Sequence, residues 1–149
     1  LAKFCGKAIV LDVPKLEGQN VEDTDIPDNA IHPGDIVLFR TGWESKAGSQ
    51  AFFQGDWPGF TMGAVQKLIN HKVKAFGGDI PSVDSPTGAK QGLPAHNLAA
   101  KAELPVFEAL VNLEKLLNMD KSRKIFFAAF PLKITEGDGS PVRAIAILQ

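Results

Sequence analysis

One cysteine, three histidines and no surplus of either charge sign make this chain poor in several kinds of chemistry, and each shortage removes a class of function. With Cys5 alone no internal disulfide can form, which fits a reducing compartment, and the expected location is cytoplasmic. Sixteen Lys and Arg against 17 Asp and Glu give a formal net charge of -1 without any run of like charge, so neither a nucleic-acid partner nor a membrane surface is expected. No apolar stretch is long enough to cross a bilayer, and no signal-peptide pattern is present in these residues. Gly77-Gly78 lacks the Gly-x-Gly-x-x-Gly spacing of a dinucleotide loop, and there is no Gly-x-Ser-x-Gly nucleophile elbow. An initiator methionine is also missing. The chain opens Leu1-Ala2-Lys3-Phe4 and enters an interior-type apolar run within a few residues, which predicts a preceding segment.

What remains is 149 residues with 44% hydrophobic content, enough for one domain with its own core, expected to be incomplete at its N-terminus. The continuous β-branched run 8–13 predicts a strand buried on both faces, ended by Pro14. Residues 15–34 are polar connection with a helical turn near Pro27 to Ala30, and Pro33-Gly34-Asp35 launches a second strand at 36–41. Between Gly42 and Gly59 the pattern has no period, the mark of a long loop that is functional or covers something. Thr61 is a helix cap for 62–71, followed by a third strand at 73–77, so a right-handed parallel crossover is predicted. Residues 95–102 have helical composition, 105–107 read as a short strand, and Leu110, Leu113, Leu116 and Leu117 form a short helical stripe. The apolar runs 124–132 and 142–148 flank Glu136-Gly137-Asp138-Gly139 and predict an antiparallel hairpin, which makes the sheet mixed.

The chemistry concentrates between Phe76 and Leu117. His32 stands in a turn and His71 at a helix end, leaving His96, after Pro94, as the histidine without a bland explanation; such a residue is still more often a capping or surface group than a ligand. Glu108 follows an apolar strand directly and therefore lies beyond its carboxyl end, where sites form in open α/β sheets. A solvated loop glutamate is the alternative. His and Glu suit zinc or manganese, but a catalytic zinc site takes about three protein ligands. Asp79 and Asp84 could be ligands or partners of ligands, though Asp after Gly-Gly more often anchors a turn, and Ser82 or Ser85 with His96 is a combination that arises often by chance. Cys5 reads as a small buried residue, and Trp43 and Trp57 as packing or pocket rim.

Taken in order, the segments Pro33 to Trp43, Gly78-Asp79-Ile80-Pro81-Ser82-Val83-Asp84, Pro94-Ala95-His96, Phe107-Glu108, Pro131-Leu132-Lys133 and Asp138 to Ala144 resemble the C-terminal part of the metal-dependent cyclase and hydrolase family that includes kynurenine formamidase and isatin hydrolase. The resemblance implies an α/β domain of the swivelling β/β/α type. It implies hydrolysis of a small-molecule amide, linear like N-formylkynurenine or cyclic, with bound Zn²⁺ or Mn²⁺, by a homodimer or higher homo-oligomer. It assigns metal-ligand roles to His96 and Glu108, whose separation matches the family spacing. The further ligands and a proton-transferring histidine belong to a His-x-Gly-Thr-His-x-Asp motif that residues 1–149 do not contain. Residues 1–149 by themselves are therefore expected to be inactive, and a non-catalytic binding or assembly module of the same fold is the rival expectation. Ala109 also departs from the pattern, since relatives often carry Asn after the Glu.

Overall fold

The computed structural model describes residues 1–119 and 122–149. Its frame is a six-stranded mixed sheet in the order β4-β3-β2-β1-β5-β6. The strands are β1 (Cys5–Asp12), β2 (Ile36–Arg40), β3 (Ala75–Gly78), β4 (Val106–Phe107), β5 (Ile125–Ala128) and β6 (Ile145–Leu148). β1 to β4 run parallel, with Ala8 opposite Ile36, Ile36 opposite Ala75 and Gly77 opposite Phe107. β5 lies antiparallel to β1, and β6 antiparallel to β5. The helices are α1 (Gln50–Gln54), α2 (Met62–Asn70), α3 (Pro86–Lys90), α4 (Pro94–Lys101) and α5 (Leu113–Leu117).

β2 explains the layering. Ile36, Val37, Leu38 and Phe39 are all fully buried, and because side chains alternate along a strand they feed two cores. Val37 and Phe39 join Val65 and Leu68 of α2 and Ala95 and Ala99 of α4 on one face. Ile36 and Leu38 meet Phe107, Leu110, Leu113 and Phe127 on the other. α2 starts where the sequence predicts, with Thr61 Oγ1 accepting from Ala64 N at 3.2 Å, and it links parallel neighbours β2 and β3.

Several expectations are corrected. The strands buried on both faces are β2 and β3, whereas β1 is mostly half-buried, because it carries the charged Lys7 and Asp12, which stay exposed and pair with Asp35 and Arg40. β5 and β6 pair antiparallel as predicted, but residues 129–144 separate them, so the Asp138-Gly139 pair does not form a tight hairpin turn. The turn there falls at Thr135 and Glu136 instead. Pro86–Lys90 is helical where a plain loop was predicted, with Ser85 Oγ accepting from Gly88 N. The long loop contains a 3-10 turn at Trp43–Lys46 as well as α1, and it docks through Trp43 and Phe52, both buried. All four residues of β6 are exposed, as are Phe130, Leu132 and Ile134 in the segment before it.

Candidate metal centre

Three parallel strands deliver a chemical group at their carboxyl ends: Thr41 after β2, Asp79 after β3 and Glu108 after β4. Asp79 is fully buried, and its two oxygens accept from Thr41 N and Oγ1, each at 2.8 Å, from Gly42 N at 2.8 Å and from Glu44 N at 3.3 Å. It anchors the turn after β2. Glu108 is held differently. The chain behind it reverses through Ala109, a left-handed residue at φ 53°, and Ala109 N and Leu110 N then donate to Ile80 O and Gly78 O at the end of β3. Glu108 Oε1 accepts from Val83 N at 2.9 Å, leaving the carboxylate only about one-third exposed.

His96 is the third residue of α4. That helix begins badly by itself, since Leu93 at the cap position sits at φ 59° and Pro94 follows, so neither offers an acceptor for the first free N–H groups. Asp84, from the loop after β3, supplies it. Oδ1 accepts from Ala95 N at 2.9 Å, and Oδ2 accepts from His96 N at 3.0 Å. Oδ2 also lies 2.7 Å from His96 Nδ1, and Asp84 is only 1% exposed. The other ring nitrogen, Nε2, lies 3.2 Å from Glu108 Oε1. The Glu108 carboxylate, opposed by partial burial and assisted by Asp84, lifts the His96 imidazole from its ordinary 6.5 to about 9. At neutral pH the metal-free ring is thus an imidazolium that donates through Nδ1 to Asp84 and is ion-paired through Nε2 with Glu108.

The two residues singled out by sequence therefore meet, from a helix start and a strand end, at the edge of a cavity of ≈ 910 Å³. Phe4, Leu104, Phe107 and Leu132 contribute apolar wall. Donor atoms bound to one zinc at about 2 Å stand roughly 3–4 Å apart, and the Nε2 to Oε1 distance of 3.2 Å meets that requirement. Among the described residues no group of three or more His, Cys, Asp or Glu is arranged to hold a metal. The pair fits part of a ligand shell.

The remaining candidates lie outside it. His32 faces Asp35, His71 pairs with Asp28 beyond the end of α2, and Cys5 is half-buried. Ser82 Oγ accepts from Asp84 N, and Ser85 caps α3. Trp43 is core, with Nε1 donating to Phe52 O, while Trp57 Nε1 donates to Asp84 O at 2.9 Å. The sequence leaves Asp84 open as a partner of the site and does not assign it to His96, which is what the structure adds. The signal for that link was the uncapped Leu93-Pro94 start of α4, which requires an acceptor from elsewhere in the chain.

The family model described as "Putative cyclase" matches residues 1–85, which carry β1 to β3 and the loop up to Asp84 and Ser85. Isatin hydrolase of Roseibium aggregatum is 33% identical over 126 residues, covering 79% of this chain and 46% of that protein. Kynurenine formamidase of Erythrobacter litoralis is 32% identical over 145 residues, covering 97% of this chain and 61% of its own length. The solved structure of isatin hydrolase A from Ralstonia solanacearum superposes with a TM-score of 0.81 at 30% identity, over 97% of this chain and 60% of that one. The chain thus spans about half to three-fifths of the length of these relatives. With the mixed sheet, the loop after β3 and the matched model in agreement, the chain belongs to the cyclase family.

Proposed function

We propose that this chain is part of a metal-dependent hydrolase that cleaves a small-molecule amide, a linear formamide such as N-formylkynurenine or a cyclic amide such as isatin, with His96 and Glu108 as two ligands of a Zn²⁺ or Mn²⁺ ion. The observation that carries the reading is the convergence of Nε2 and Oε1 to 3.2 Å at the carboxyl edge of the parallel strands, opening on an apolar-walled cavity. The names of the relatives support the substrate class. When bound, such an ion supplies Lewis acidity at the amide carbonyl and a water ionisable near neutrality. The protein groups do the placing. Glu108, fixed by Val83 N–H, offers a carboxylate, and His96 offers Nε2 once the proton between them has left. Phe4, Leu104 and Phe107 form apolar wall beside them. Further ligands and a proton-transferring group are assigned, by the resemblance, to the His-x-Gly-Thr-His-x-Asp motif.

The test compares the intact protein with residues 1–149 for metal content and formamide hydrolysis. The intact protein is expected to hold metal and turn over, and the isolated residues to bind metal weakly and show no hydrolysis. In the intact protein, His96→Ala and Glu108→Gln should each remove most bound metal and slow hydrolysis by at least about 100-fold. If both leave metal content and rate unchanged, the ligand assignment is wrong. An intact protein that takes up no metal would instead support the non-catalytic module.

A further inference from the structure

We infer that Asp84 is the positioning residue for His96: its carboxylate, bonded to backbone and ring of the same histidine, decides which ring nitrogen carries the proton and where the other one points. Nothing about the motif in sequence separates this role from that of Asp79, five residues earlier, whose carboxylate serves only the turn after β2.

The geometry does. Both ring nitrogens face a carboxylate that can only accept, and the closer one decides: Asp84 Oδ2 lies 2.7 Å from Nδ1 against 3.2 Å from Nε2 to Glu108 Oε1, so a neutral His96 keeps its hydrogen on Nδ1 and leaves the lone pair on Nε2. That lone pair faces Glu108. Ring rotation is blocked as well, because Oδ2 holds His96 N at 3.0 Å and Nδ1 at 2.7 Å together, tying the imidazole to the first turn of α4. Asp84 is itself immobilised. Trp57 Nε1 donates to its carbonyl, Phe60 N donates to Val83 O at 2.7 Å, and a Cβ on Gly59 would come within 2.2 Å of Ser85 N. The two candidate ligands consequently hang from consecutive residues of one loop. Val83 holds Glu108 through its N–H, and Asp84 holds His96 through its side chain. Their spacing is set by two consecutive residues of that loop rather than by the 11 residues between them in the chain.

The consequence for metal affinity rests on the ligand role proposed above; the consequence for the ring does not. Two measurements on the intact protein separate them. Long-range nitrogen–proton NMR on the metal-free protein at alkaline pH, where the ring is neutral, reads the tautomer. Wild type is expected to show His96 with its proton on Nδ1. Asp84→Ala removes the acceptor, and Asp84→Asn leaves one oxygen for three N–H groups, so both should lose that single tautomer. Calorimetric titration with Zn²⁺ alone should show affinity roughly 10- to 100-fold weaker in both variants, the range in which outer partners of metal-bound histidines act. If Asp84 merely closes the start of α4, stability falls while His96 keeps its proton on Nδ1, and that result overturns the inference. Should Asp84→Ala not fold, Asp84→Asn is judged by the same criterion. If His96→Ala leaves Zn²⁺ affinity unchanged, the ligand reading fails, and the tautomer still decides the role of Asp84.

Discussion

At the scale of single residues, the imidazole of His96 is shared between two carboxylates that come from different parts of the chain, and this has a consequence for pH. Its folded-state value of about 9 exceeds the ordinary 6.5, so the folded form binds the proton more tightly than the unfolded form does. The stabilisation is therefore complete below pH 6.5 and is lost as pH rises through about 9. In metal-free protein the unfolding midpoint should decline across that window and level off above it, and His96→Ala should flatten the decline. A midpoint that rises over the same range would show that the carboxylates do not hold the protonated ring. The histidine side chain is 37% exposed, so solvent screening keeps the effect modest.

Among the elements, β4 is only two residues long, yet it places Glu108. Close approach makes that possible. Gly77 and Phe107 are register partners, and a Cβ on Gly77 would stand 2.0 Å from Phe107 O, so β3 and β4 come together only because this position has no side chain. The reversal after β4 runs through Ala109 in the left-handed region, where a Cβ is disfavoured and Asn is tolerated better. Asn would suit this backbone better than Ala does, so the alanine here costs the turn rather than serving it. Ala109→Asn is accordingly expected to raise stability by about 0.5–1 kcal/mol, measured as a higher denaturant midpoint with an unchanged slope. A lower midpoint would mean that the left-handed turn is not what limits this connection.

For the molecule as a whole, both faces of the sheet are left uncovered at β6, where all four residues are exposed. Ile145 and Ile147 are 48% and 49% exposed on a strand with no neighbour on its outer side among the described residues, and such an edge invites pairing with another chain. The intact protein is expected to be a homodimer or larger assembly. Sedimentation velocity should show Ile147→Lys shifted toward monomer, with its far-ultraviolet circular dichroism unchanged because the residue carries little of the core. A monomeric wild type, or an assembly indifferent to this substitution, would remove β6 from the contact.

Local patterns in the sequence determined the elements: the all-apolar 36–39 run, the Thr61 cap with its 3.6-residue stripe, and the two β-prone runs that pair at the C-terminal end are short-range features that each carry their own signal. Glu108 was legible because a carboxylate directly after an apolar strand has one place to go, and His96 because the other two histidines had local explanations. The length of the β5 to β6 connection was not legible, since Asp-Gly marks a possible turn without saying whether the flanking residues pair. Nor was the difference between Asp79 and Asp84. Both follow β3 in one loop, and only tertiary packing, with the uncapped start of α4 brought against one of them, decided that the first serves the turn after β2 and the second holds the histidine.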